Sequence, residues 1–117
     1  MKKEYRVKRN EDFSKIIGRK NSVANKSFIV YSAQNEMNHV RLGISVSKKL
    51  GNAVIRNKIK RQIRSMADEI VDLNLANDYI IIARKDYLLY NYEDNKRSLE
   101  KLMIKINKRM GKNVRTR

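Results

Sequence analysis

The chain has 117 residues and a mass of 13.8 kDa, with 41% hydrophobic residues, 28 Lys and Arg against 12 Asp and Glu, and no cysteine. That is the size of one domain with a packed core, and a formal charge of +16 repels itself until a polyanion neutralises it, so nucleic acid is the leading class of partner. Without cysteine, disulfides, a thiolate nucleophile and a cysteine-ligated zinc site are excluded; no apolar run approaches the roughly 18 residues of a membrane span, so the cytoplasm is the expected compartment.

Asn10 followed by Glu11 and Asp12 predicts a helix start, with a capping amide and two acids at the positive end of the dipole. Phe13, Ile16 and Ile17 then share one face. Residues 27–33 are β-branched and aromatic and predict a first strand, with a further short strand near 22–26. In residues 41–47, Leu42, Ile44 and Val46 alternate with Gly43, Ser45 and Ser47, which predicts a second strand, paired with the first as a hairpin. Its small-residue face suits either plain solvation or the close approach of another chain.

Asn52 is positioned to cap a helix from 53 to about 73, on which Ile55, Ile59, Ile63, Met66 and Ile70 repeat at core-facing spacing. Residues 78–85 hold Tyr79, Ile80, Ile81, Ile82 and Ala83 without alternation, which predicts a strand covered on both faces. Asn91 and Asp94 resemble a capping box, and Leu99, Leu102, Met103, Ile106 and Met110 mark the buried face of a last helix. Gly111 ends it, and Lys112, Arg115 and Arg117 belong to a short basic C-terminal tail. The order is that of an α+β chain: a two-layer α/β sandwich with a small mixed sheet and about three helices, in a single domain spanning 1–117. The helical crossover makes its two flanking strands parallel if they are neighbours.

The densest chemical signal is Lys48, Lys49, Arg56, Lys58, Lys60, Arg61 and Arg64, without one acid between positions 48 and 64. Arg56, Lys60 and Arg64, with Asn57 and Arg61 beside them, lie away from the apolar stripe, and Lys58 lies off to the side. Like charges at i, i+4 repel, so the row calls for phosphates spaced along roughly 15–20 Å of helix. Phe13, Phe28 and Tyr31 offer stacking for unpaired bases, or else core packing.

No catalytic residue and no metal site emerge. His39 is the only histidine and stands in a turn; Asp68 and Asp72 fit a surface ion-pair series with Arg64; and four glycines supply no phosphate-cradling loop.

Asn10-Glu-Asp-Phe13, Ser22-Val-Ala-Asn-Lys26, Arg41-Leu-Gly-Ile-Ser-Val-Ser-Lys-Lys49, the run from Gly51 to Arg64 and Asp78-Tyr-Ile-Ile-Ile-Ala-Arg84 together resemble the protein subunit of bacterial ribonuclease P over nearly the whole chain. The resemblance implies a left-handed β-α-β crossover, and an endonuclease whose catalytic RNA removes the 5′ leader of precursor tRNA. Magnesium is then held mainly by the RNA, with no cofactor on the protein and one protein per RNA. It also implies catalytic-RNA contacts at Asn52, Arg56, Asn57, Lys60, Arg61 and Arg64, with Lys48, Lys49 and Lys58 alongside, and a leader cleft at Phe13, Ile17 and Tyr31. Two departures stand out: the usual Arg-Asn-Arg triplet reads Arg56-Asn57-Lys58, and an often aromatic cleft position is Ile17. Two competing readings are a structural RNA-binding protein of the ribosomal kind and a DNA-binding module that sets residues 53–64 in a major groove.

Overall fold

The uninterrupted apolar run at Tyr79–Ala83 decides the architecture, because a strand with no polar face must be covered on both sides. In the computed structural model, which describes residues 3–109, that strand takes an interior place in a four-stranded sheet. The chain forms α1 (Asn10–Gly18), β1 (Ser22–Ala24), β2 (Phe28–Gln34), β3 (Arg41–Val46), α2 (Ala53–Ile70), β4 (Asn77–Ala83) and α3 (Tyr92–Arg109), with short 3-10 turns at Lys3–Tyr5, Lys48–Leu50 and Lys85–Leu89. The expected helix end at Met110 and Gly111 and the basic tail with Lys112, Arg115 and Arg117 lie outside the described residues.

The strand order is β1-β2-β4-β3. β2 runs antiparallel to β4, and β3 runs parallel to it. The hairpin expected between β2 and β3 is therefore absent: β4 inserts between them and exchanges hydrogen bonds with both, which satisfies its two edges, while its two apolar faces are covered by the helices above and below the sheet. β3 and β4 are the parallel neighbours that the intervening α2 requires, and the short strand near 22–26 is β1 at the sheet edge.

α2 and α3 pack on one face of the sheet. There Ile59, Ile63, Met66 and Ile70 from α2 and Leu99, Leu102, Met103 and Ile106 from α3 meet Phe28, Val30, Leu42, Val46, Tyr79 and Ile81. The sandwich is formed by this layer and the sheet. α1 lies across part of the opposite face, where Ile16 packs with Val7, Ala33 and Ile80.

Four local details differ from the sequence pattern. Arg9 rather than Asn10 occupies the cap position of α1, and it makes no side-chain cap. Ile55 leaves the core stripe and is exposed: Gly51 at φ +143° turns the chain so tightly that an added Cβ would lie 2.9 Å from Ile55 Cδ1, and the Ile55 side chain covers this turn instead. α2 stops at Ile70, so Asp72 is not on its face; Asp72 Oδ1 accepts a hydrogen bond from the backbone N–H of Asn74. His39 is half-buried, edge-on to Tyr5 with ring centroids 5.1 Å apart; its Nδ1 lies 2.9 Å from the Val40 carbonyl, so Nδ1 carries the proton.

Candidate nucleic-acid interface

The α1 side of the sheet is built in rows. Register places Ala33, Asp78 and Arg41 side by side, then Tyr31, Ile80 and Gly43, then Ile29, Ile82 and Ser45. The first row is locked by charge: Arg41 donates from Nε and Nη2 to the two oxygens of Asp78 at 2.9 and 2.7 Å, and its Nη1 reaches Asp12 at 3.5 Å. This fork fixes the N-terminal turn of α1 to the sheet, and the Asp78 hydrogen bond raises the Arg41 pKa still further.

The second row carries Phe13. Its ring lies over Gly43, where an added Cβ would come within 2.6 Å of both Phe13 Cζ and Ile80 Cδ1. Phe13, Tyr31 and Ile82 pack against the small α1-side cluster while remaining partly open to solvent. Ile17, four residues after Phe13 on the same helix face, is also half-exposed. In the third row, Ile29 and Ile82 are half-exposed and Ser45 is exposed. A cleft with an apolar floor results, in which the missing side chain of Gly43 admits the Phe13 ring and Ser45 is left exposed at the margin. Phe28 faces the other way and is fully buried, edge-on to Tyr87.

α2 runs beside β3. Asn52 caps it by accepting the Ile55 backbone N–H at 3.0 Å, and Ser47 Oγ accepts the Lys49 N–H, so Lys48 and Lys49 enter on an exposed 3-10 turn. Arg56, Lys60 and Arg64 form a half-buried flank of α2, with Asn57 and Arg61 exposed beyond them. Lys58 is exposed on the other flank and lines a groove with Leu88 and Tyr90, away from the row. Arg56 Nε is buried without a hydrogen-bond partner.

The cleft and the charged row meet. A cavity of about 470 Å³ is lined by Arg6, Lys8, Phe13, Leu42 and Arg64 among others, and the N-terminal segment closes it by running along the free edge of β3, with the Val7 N–H donating to the Leu42 carbonyl at 2.9 Å. Burial, and then the positive charge of Arg6, lowers the Arg64 pKa. Two cations held together at the rim of a cavity favour an anion between them. Arg6 and Lys8 were missed in the sequence because the basic start of the chain has no periodicity; only its charge marked it.

Among the described residues no three His, Cys, Asp or Glu side chains converge as a metal site. No Asp or Glu among the described residues lines the cavity beside Phe13 and Arg64, and Asp12 and Asp78, at the first row of the sheet, are both engaged by Arg41. No helix among the described residues is long and apolar enough to cross a membrane.

The sequence model of the ribonuclease P family matches residues 1–107. The chain belongs to this family. It is 52% identical over 101 residues to the ribonuclease P protein component of Listeria welshimeri, covering 85% of each chain, and 47% identical over 115 residues to that of Macrococcus caseolyticus, covering 97% of this chain and 99% of the relative. Among solved structures, a Staphylococcus aureus RNase P protein superposes with a TM-score of 0.76 at 48% identity, covering 85% of this chain and 92% of that one. The RNase P protein of Thermotoga maritima gives 0.72 at 30% identity, covering 83% and 93%. Membership in the ribonuclease P family gives the chain the standing of a protein component of an endoribonuclease complex with an RNA partner, and it is consistent with the mixed sheet and three helices found here.

Proposed function

We propose that this ribonuclease P protein grips the catalytic RNA with the α2 face and receives the 5′ leader of precursor tRNA in the cleft under α1, assisting endonucleolytic removal of the leader to give the mature 5′ end. The observation that carries this reading is the continuity of the two surfaces at the edge of β3, where Phe13 and Arg64 line one cavity. A strand whose bases lie on Phe13, Tyr31 and Ile17 would have its phosphates beside Arg6, Lys8 and Arg64, the pairing of apolar platform and cationic track that suits single-stranded RNA. Lys48, Lys49, Asn52, Arg56, Asn57, Lys60 and Arg61 then continue the positive surface for the catalytic RNA; Lys58, on the far flank, would reach only a neighbouring part of it.

The chemistry is assigned to the RNA, with magnesium held mainly there. Support comes from the acids: Asp12 and Asp78 already neutralise Arg41 and the described cavity lining holds no carboxylate, leaving the protein the work of positioning and charge neutralisation. One protein per RNA and a cytoplasmic setting complete the proposal.

The test is cleavage of a 5′-extended precursor tRNA by a bacterial ribonuclease P RNA at low magnesium, with and without the protein, alongside a protein-only reaction. Cleavage at the mature 5′ end that needs both components is the expected result. Arg61→Ala should weaken association with the catalytic RNA, and Tyr31→Ala should weaken retention of precursor relative to mature tRNA. Cleavage by the protein alone would overturn the assignment of chemistry to RNA, and equal loss of both tRNAs in the Tyr31 variant would overturn the cleft.

A further inference from the structure

α3 carries a second cationic row, at the far edge of the sheet from the first. Arg97, Lys101, Lys105 and Arg109 follow one another at i, i+4 spacing along roughly 18 Å of helix, and all four are exposed. Among the described residues Arg97, Lys101 and Lys105 make no ion pair. The macrodipole accounts for cations in the last turn, where Lys108 and Arg109 stand, and the acids of the first turn, Glu93 and Asp94, answer the same field. It does not account for Arg97 and Lys101 in the body of the helix, where Glu93, Asp94 and Glu100 offset part of the repulsion between like charges four residues apart but, among the described residues, form no ion pair with the row.

The row does not stand alone. Arg109 Nη1 donates to the Ser22 carbonyl at 2.7 Å and reaches Asn21 Oδ1 at 3.4 Å, which brings the end of the row against the chain just after Arg19 and Lys20. At the other end, Asn25 Nδ2 donates to Ser98 Oγ at 2.5 Å, and the half-buried Ser98 lines one hollow with the exposed Lys26. A shallow cavity of about 560 Å³ lies between α3 and β1, bordered by Arg97, Lys101 and Lys105, with Asp94 the acid on its rim. β1 is the edge strand opposite β3, so this surface is separated from the α2 row by the width of the sheet.

We infer that the α3–β1 edge is a second docking surface for an RNA backbone, so that the protein bridges two separate segments of its RNA partner. The inference rests on the RNA-binding reading above and extends it to a face that reading does not use. The occupant follows from charge complementarity: evenly spaced, unpaired cations with only a small apolar margin match successive phosphates, and each engaged phosphate releases counterions.

The experiment compares three proteins binding a folded ribonuclease P RNA across a salt series: the unsubstituted chain, the triple variant Arg97→Ala, Lys101→Ala, Lys105→Ala, and the α2 variant Arg56→Ala, Arg61→Ala. Alanine favours helix at these exposed positions, so circular dichroism of each variant should match that of the unsubstituted chain. The triple variant should lower the slope of log affinity against log salt by about two to three, independently of the loss in the α2 variant. Because the chain has no cysteine, Lys101→Cys and Arg61→Cys proteins can each carry one photocrosslinker, and the two should mark different nucleotides. An unchanged slope in the triple variant, with a reduced one in the α2 variant, overturns the inference and leaves the proposed function standing. Loss of triple-variant binding to phosphatidylglycerol vesicles with no change on RNA also overturns it, in favour of a lipid surface. Absence of RNA binding by the unsubstituted chain removes both readings.

Discussion

Gly43 and Phe13 face each other so closely that the missing Cβ of the glycine is the space the ring occupies, 2.6 Å from Phe13 Cζ. Gly43→Ala should therefore displace Phe13 or Ile80 and destabilise the chain by about 1–3 kcal/mol. Because the ring also forms the cleft floor, the loss in affinity for a single-stranded leader should exceed the loss in affinity for the catalytic RNA. Denaturant titration and the two binding measurements check this; equal losses would separate Phe13 from the leader.

Arg41 is the sole arginine of the fork on Asp78, a residue only 4% exposed. Arg41→Met leaves a buried carboxylate with Asn35 as its remaining side-chain donor, at 2.8 Å. A cost of about 3 kcal/mol is expected, and adding Asp78→Asn to the variant should restore part of it, as a double-mutant cycle by denaturation would show.

Tyr79 sits between two amides: its hydroxyl donates to Asn107 Oδ1 at 2.6 Å and accepts from Asn77 Nδ2 at 3.1 Å, all in the core. Tyr79→Phe leaves both partners unpaired and should destabilise by about 1–3 kcal/mol. This bond joins β4 to the C-terminal part of α3, so amide exchange should rise there first.

Burial, and then the neighbouring Tyr92, pushes the Tyr87 hydroxyl up to about 12. In the unfolded chain it titrates near its ordinary value, about 10. Between these values the unfolded form has lost a proton that the folded form keeps, so stability is full below about pH 10 and falls as pH rises toward 12. Tyr87→Phe should flatten this alkaline decline while losing the hydrogen bond to Gln62. Thermal melts across that pH range, with tyrosinate absorbance as a second readout, check it.

The sequence made the elements legible because their periodicities were strong: the stripe from Ile59 to Ile70, the run from Tyr79 to Ala83, the alternation from Leu42 to Val46. It did not reveal which strands are neighbours. The polar stretch between β2 and β3 reads as a hairpin turn, and only the insertion of β4, which pairs with β2 along one edge and with β3 along the other, rules that pairing out. Ile55 misled for a related reason, since spacing records which residues share a helix face but not where that face runs past the core. The charged row of α2 was plain in the sequence. Its meeting with Phe13 was not, because the N-terminal segment that closes the cavity, Arg6 to Lys8, gains its place through one ladder contact along β3 rather than through any local pattern.

The insertion of β4 between β2 and β3 also sets an order of assembly. The last strand of the chain to be synthesised is the one that joins the other two; its half-exposed Ile82 belongs to the cleft floor, and its buried Ile80 supports Phe13 from beneath. A nascent chain lacking residues 77–83 has no strand to pair β3 with and offers no continuous surface between Tyr31 and Gly43. The early basic residues thus become an organised receptor only when the strand that follows α2 is in place, and an incomplete chain meets RNA as charge without shape.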